Sequence, residues 1–301
     1  MLTPLIALRV ALGGFTAYYV WAWWSGARRA RSAPAAPPEA YAAGAPSAGA
    51  LTVGFVTNFF DTLGIGSYAP TTSVYKVFKM VPDRLIPGTL NVGHTPPVIV
   101  QALIYTAAIE VDPTTLVLMI GAAVAGAWLG SGVVAGLPKR QIQIGMGVAL
   151  LVAAALFAWR NLGGEGTETG TIGLAGIRLA LGLAGNFVLG ALMTLGIGMY
   201  APCMILVALL GMNPRAAFPI MMGACAFLMP VAALRFIQRD SYSPRASLGL
   251  AAGGVPAVLA AAFIVKSLPL TLLRWLVVAV VLYTSLTMLR SARREAAAPV
   301  A

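Results

Sequence analysis

Long apolar runs separated by short polar joints set out this chain. The runs fall at residues 3–24, 51–80, 86–109, 114–136, 141–159, 172–212, 216–237, 247–265 and 270–289. They are rich in Leu, Ala, Val and Gly and lack a period-two alternation, so they predict helices rather than strands. The joints are short: Glu110-Val111-Asp112-Pro113, Pro138-Lys139-Arg140, Asn213-Pro214-Arg215, Arg235 to Arg245, and Lys266 to Pro269. Two polar stretches are longer. Residues 32–50, with Pro34, Pro37, Pro38 and Pro46, read as a linker without a core of its own, and residues 161–170 read as a Gly-rich connection.

Within this pattern one nonapeptide occurs twice. Thr62-Leu63-Gly64-Ile65-Gly66-Ser67-Tyr68-Ala69-Pro70 returns 132 residues later as Thr194-Leu195-Gly196-Ile197-Gly198-Met199-Tyr200-Ala201-Pro202. The same offset pairs Phe55 with Phe187, Met80 with Met212, Pro82 with Pro214, Pro87 with Pro219 and Gly121 with Gly253. The chain is therefore an internal duplication. The expected organisation is an N-terminal transmembrane helix (1–25), a cytoplasmic linker (26–50), a first repeat (51–160), a connecting loop (161–170), a second repeat (171–290) and a cytoplasmic tail (291–301). Glycine and proline weaken or break a helix. Broken helices at matching positions of two membrane repeats point to a transport site.

Composition turns the runs into membrane spans. Of 301 residues, 59% are hydrophobic and 10% charged, with mean hydropathy +0.86. A soluble domain carries about 25% charged residues, so the fold expected is an all-α integral membrane bundle. The net charge of +11 fits basic residues gathered in cytoplasmic loops better than nucleic-acid binding, because no basic cluster is interleaved with exposed aromatics. Cys203 and Cys225 form no CxxC or ligand set, so neither metal nor other cofactor is expected. The first run has no basic start and ends in Val20-Trp21-Ala22-Trp23-Trp24, so it reads as a retained helix rather than a signal peptide.

Charge bias separates two topologies. If each of nine runs crosses once with the C-terminus cytoplasmic, 11 of the 20 basic residues lie inside. If each TLGIG segment is a re-entrant hairpin, Lys76, Lys79, Arg84, Lys139 and Arg140 move in, Arg160 and Arg178 move out, and the count becomes 14 inside of the 20. The second arrangement is favoured. It gives each repeat a broken, re-entrant helix plus three transmembrane helices, so that the two repeats are inverted. For residues 172–212 a single broken crossing stays open beside the hairpin.

The segment Phe60-Asp61-Thr62-Leu63-Gly64-Ile65-Gly66 through Pro70, followed by Met80-Val81-Pro82 and Thr89-Leu90-Asn91-Val92-Gly93, resembles the TauE/SafE family of sulfite exporters and toluene-sulfonate uptake permeases. Gly190 to Pro202 with Gly211-Met212-Asn213-Pro214 fits that family's second half, so the resemblance covers about residues 51–290. Members usually carry three or four glycines where this chain has Gly64-Ile65-Gly66-Ser67. The resemblance implies a multispanning permease or exporter, not an enzyme, in the cell inner (cytoplasmic) membrane. Its substrate would be a small anion such as sulfite, a sulfonate or a similar organic anion.

The residues themselves suggest how an anion would be held. A helix resuming after Pro70 or Pro202 presents free N–H groups and a partial positive charge. Two such ends converging near the midplane would make a sulfite-sized pocket. Gly64, Gly66, Gly196 and Gly198 would let the anion approach backbone, while Thr62, Ser67, Tyr68, Thr71, Thr194 and Tyr200 would add hydroxyls. The alternative is that these glycines serve helix packing. Asp61, an acid inside an apolar run, is a candidate proton carrier or else a buried partner for a base. His94, beside Asn91 and the Pro96-Pro97 pair, is a candidate for anion binding and proton coupling or else a structural residue. The expected partners are the anion, protons as coupling ion, and the lipid bilayer. A channel of the same architecture, or a membrane-embedded enzyme or scaffold, remains the alternative.

Overall fold

The computed structural model describes residues 4–32, 45–134, 139–162, 171–193 and 198–297. Among these, the elements are helices: α1 (Pro4–Ser32), α2 (Ala48–Thr62), α3 (Tyr68–Val77), α4 (Ile86–Ala108), α5 (Pro113–Val134), α6 (Lys139–Leu162), α7 (Gly176–Met193), α8 (Tyr200–Leu209), α9 (Ala217–Gln238), α10 (Pro244–Ser267) and α11 (Leu270–Ala297). Single 3-10 turns, Asp83–Leu85 and Pro214–Ala216, lead into α4 and α9. Six helices among the described residues are long and apolar enough to cross a membrane. The first helix does not stop at its tryptophans but runs on to Ser32. Arginine is a good helix former and is favoured at a helix C-terminus, and Arg28 stacks 3.6 Å over the Trp24 ring.

The repeat in sequence is a repeat in structure. The short helices α3 and α8 begin and end at positions 132 residues apart. Ten residues span about 15 Å, half of a bilayer core. Each short helix belongs to a hairpin with the helix before it. In the first hairpin, Ser47 and Ala50 at the start of α2 line the same cleft as Lys76, Lys79 and Met80 at the end of α3. In the second, Thr171, just before α7, pairs with the strand-like turn after α8: its N–H donates to the Gly211 carbonyl (3.1 Å) and its carbonyl accepts from Asn213 N–H (3.0 Å). Both chain segments therefore return to the end from which they started. For residues 172–212 this favours the hairpin over a single broken crossing.

The helices gather into two compact units. Unit 1 comprises Met1–Ala108 and Cys225–Ile264, and unit 2 comprises Ile109–Ala224 and Val265–Ala301. Each unit thus mixes the repeats. In unit 1, α10 of the second repeat lies on α2 of the first. In unit 2, α5 of the first lies on α7 of the second, and α6 on α11. Small residues permit both close approaches. A β-carbon on Gly253 would run into the Leu51 carbonyl, and one on Gly126 into the Phe187 carbonyl. The unit 1 core includes Tyr75, Leu85, Ile86, Leu90 and Leu250. Large apolar side chains such as Trp128, Trp159 and Phe263 are exposed, as expected for faces turned to lipid.

The Pro96-Pro97 pair does not break its helix: α4 runs through both prolines. Pro96 lacks the N–H that would bond the carbonyl of Val92 one turn earlier. The hydroxyl of Tyr19 on α1 donates to that carbonyl instead, at 2.7 Å, and both groups are buried. A neighbouring helix thus supplies the missing donor, which is how membrane helices tolerate proline.

Candidate functional site

The break between α2 and α3 needs two left-handed residues. Gly64 and Gly66 have φ of +94° and +90°, which a side chain would strain. Beyond them Ser67 stands at the N-cap of α3 without making a side-chain cap bond. The first turn of α3 therefore relies on other partners for its backbone N–H groups. A β-carbon at Gly66 would meet nothing within 4 Å, so there is room beside this backbone.

Against that end stands a buried hydrogen-bonded chain. His94 of α4 has no exposed surface. Its Nε2 lies 3.1 Å from Thr71 Oγ1 and its Nδ1 lies 3.0 Å from Asn58 Oδ1. The outer bonds of the two partners constrain the ring. Thr71 Oγ1 donates to the Ser67 carbonyl (2.8 Å), and Asn58 Nδ2 donates to the Gly54 carbonyl (2.7 Å). With those bonds in place both ring nitrogens face acceptors. A ring protonated at both nitrogens satisfies all four bonds at once. A neutral ring requires either Thr71 to turn its hydroxyl from the Ser67 carbonyl to Nε2 or Asn58 to flip its amide and donate to Nδ1. Tyr68 tilts over the imidazole at 5.7 Å between centroids and donates its hydroxyl to Asn91 Oδ1 (3.1 Å).

One to two turns further along α2 and α4 lies a second buried group. Gln101 Nε2 donates to Asp61 Oδ2 and to Thr62 Oγ1, both at 2.9 Å. Tyr105 donates to the Thr62 carbonyl at 3.0 Å, and Thr62 Oγ1 donates to the Asn58 carbonyl at 2.7 Å. Asp61 is 2% exposed, and the acid faces an amide rather than a basic side chain in these bonds. Asn58 joins the two groups into one polar ribbon between α2 and α4, within unit 1.

The structure thus brings Ser67, Tyr68, Thr71, Asn91 and His94 together around the start of α3. It places Thr62 and Asp61 with Gln101 and Tyr105 instead. Asn58, Gln101 and Tyr105 escaped the sequence reading. Their signal was available: Gln101 lies seven residues after His94, on the same face of α4, and Asn58 lies three before Asp61 on α2.

The second copy keeps Thr62 and Tyr68, as Thr194 and Tyr200, and loses the rest of this chemistry. At the 132-residue offset, Asn58 becomes Gly190, Asp61 Met193, Thr71 Cys203, His94 Ala226, Gln101 Ala233 and Tyr105 Ile237. Tyr200 starts α8, and Gly198 is exposed before it. Cys203 is fully buried. Thr194 and Gly196 lie outside the described residues. The half-helices lie in different units, α3 in unit 1 and α8 in unit 2.

The sulfite exporter TauE/SafE family matches residues 1–164, more than half of the chain. The chain belongs to that family. The match takes in α1 and the whole first repeat, the part of this TauE/SafE member that holds the polar ribbon. The second repeat is tied to it by the duplicated nonapeptide. No curated relative and no solved structure matches the chain. Membership in a transporter family together with the apolar helices makes this a multi-pass membrane transport protein.

Proposed function

We propose that the chain is a secondary transporter that moves a small sulfur-containing anion, sulfite or an organosulfonate, across the cytoplasmic membrane in exchange with or alongside protons. The anion binds at the N-terminus of α3, where Gly66 leaves the backbone accessible, Ser67 supplies a hydroxyl donor, and Tyr68 and Thr71, whose hydroxyl protons go to Asn91 and the Ser67 carbonyl, line the site. Asn91 holds the Tyr68 hydroxyl and so sets that ring's position. The α8 end, with Gly198 and Tyr200, is the counterpart in the second repeat. The observation that carries this reading is the His94–Thr71–Ser67 chain. It links a titratable ring to the N-cap of a half-helix, in the membrane, in one repeat only. Protonation of His94 adds a positive charge beside the anion and strengthens binding. Asp61, held by Gln101 on the same ribbon, is the second proton carrier. The inverted arrangement of the repeats is part of this proposal, supported by the two returning hairpins.

The test is flux into proteoliposomes of sulfite, sulfate, sulfoacetate and short carboxylates, with and without a pH gradient. Uphill movement of a sulfur anion driven by the gradient is the expected result. Flux that only ever runs downhill makes the protein a channel and overturns the transporter reading.

A further inference from the structure

A second place in unit 1 has the makings of a binding site, independent of the polar ribbon. A cleft of about 670 Å³ opens where α2 begins, α3 ends and α10 begins. Its polar lining comprises Ser47, Lys76, Lys79, Asp83, Ser243 and Arg245. Three cations and a single acid, from two distant parts of the sequence, thus line one cleft. Arg245 donates from Nε to the Ala45 carbonyl, which holds its guanidinium at the rim. Among the described residues neither lysine makes an ion pair.

Lys79 is the informative residue. It sits in the left-handed region at φ +49°, just past the end of α3, where Met80 N–H bonds back to the Tyr75 carbonyl. That closing turn favours glycine, because a β-carbon is disfavoured there. The second repeat shows the unburdened version. Its equivalent position is Gly211 at φ +86°, and Met212 N–H bonds back to the Val207 carbonyl in the same way. Lys76 is likewise replaced by Ala208. The turn therefore does not need a lysine, and the first repeat bears a strained backbone with a cation on it.

The same turn is apolar on its outer side. Val77 and Phe78, between the two lysines, are 74% and 72% exposed. A cationic cleft edged by exposed aliphatic and aromatic surface matches a ligand with a phosphate at one end and acyl chains at the other. We infer that this cleft binds the headgroup of an anionic phospholipid, with Lys76, Lys79 and Arg245 around the phosphate and the chains against Val77 and Phe78.

The test uses the full chain in a zwitterionic detergent, with dioctanoyl phosphatidylglycerol as probe and native mass spectrometry to count bound lipid. A cation at an anionic lipid surface contributes roughly a fivefold factor in binding. The pair Lys76→Ala and Lys79→Gly should therefore weaken phosphatidylglycerol binding about 25-fold. Lys79→Gly restores the turn residue used by the second repeat, so the variant keeps its fold, and an unchanged melting temperature without lipid verifies this. Dioctanoyl phosphatidylcholine should bind weakly and equally to both proteins. Equal phosphatidylglycerol binding by wild type and variant overturns the proposal. Inorganic phosphate or sulfite competing at micromolar concentration also overturns it, because the cleft then recognises a free anion.

Discussion

Single residues decide whether the ribbon between α2 and α4 moves protons or only holds helices together. With Thr71 and Asn58 bonded as they are, His94 can add a proton without any side chain losing a partner. Anion binding should then be tighter at low pH and weaken as pH rises and the ring loses that charge. His94→Gln keeps two polar ends but removes the titration, so it should flatten the pH profile of flux while expression stays normal. Asp61→Asn should flatten the other limb. Unchanged profiles in both variants would remove these residues from the mechanism. The two repeated glycines are tested separately. At Gly66, valine would meet free space but a forbidden φ of +90°, so loss of transport there has two explanations. Gly198 also has open space beside it, and Gly198→Val is the matching probe in the second repeat. It should abolish flux and leave the protein in the membrane. Normal flux would mean that the second break is a packing device.

At the scale of helices, the sequence exposed some features and hid others for physical reasons. The half-helices were legible from the duplicated Gly-rich stretch, but each begins at its tyrosine, Tyr68 or Tyr200, two residues before the proline after which the sequence placed the restart. The continuity of α4 was not legible. Local sequence at Pro96-Pro97 predicts a break, and the donor that prevents it comes from Tyr19, 73 residues away along the chain. The amides of Asn58 and Gln101 were hidden similarly, since an amide gains meaning only from what it faces. The α4 account can be tested by a cycle. Tyr19→Phe leaves the Val92 carbonyl buried and unbonded, which should lower stability by about 1–3 kcal/mol. Pro96→Ala restores an N–H at the position that normally bonds that carbonyl. The double variant should therefore melt above Tyr19→Phe alone. If it melts lower, the hydroxyl matters for some other contact.

For the whole molecule, the question is which ends of the helices share a side of the membrane. The basic residues favoured hairpins by 14 inside against 11 of the 20 for nine crossings, and hydrogen bonds within each unit now bear on the same choice. In unit 1, Lys76 and Lys79 share a cleft with Arg245. In unit 2, Arg140 Nε donates to the Ala292 carbonyl. Nine single crossings would put the members of each of these pairs on opposite sides. The hairpin arrangement puts them together, whereas Asp112 and Ile172, whose carbonyl accepts the Asp112 N–H at 2.8 Å, share a side in either arrangement. From positive-inside bias we propose the absolute orientation, with the Arg235–Arg245 joint and the tail after Arg290 cytoplasmic and the Glu110–Asp112 joint external. Single cysteines labelled by a membrane-impermeant thiol reagent test this. The positions must be accessible, which excludes Tyr242 at 2% exposure and favours Glu110, Arg239 and Arg293. In intact cells the cysteine at 110 should label, and those at 239 and 293 should label only after the membrane is opened. Labelling of 239 or 293 from outside would reverse the orientation. Labelling of 110 and 293 from the same side would defeat the hairpin topology itself, because α5 to α11 would then cross an even number of times.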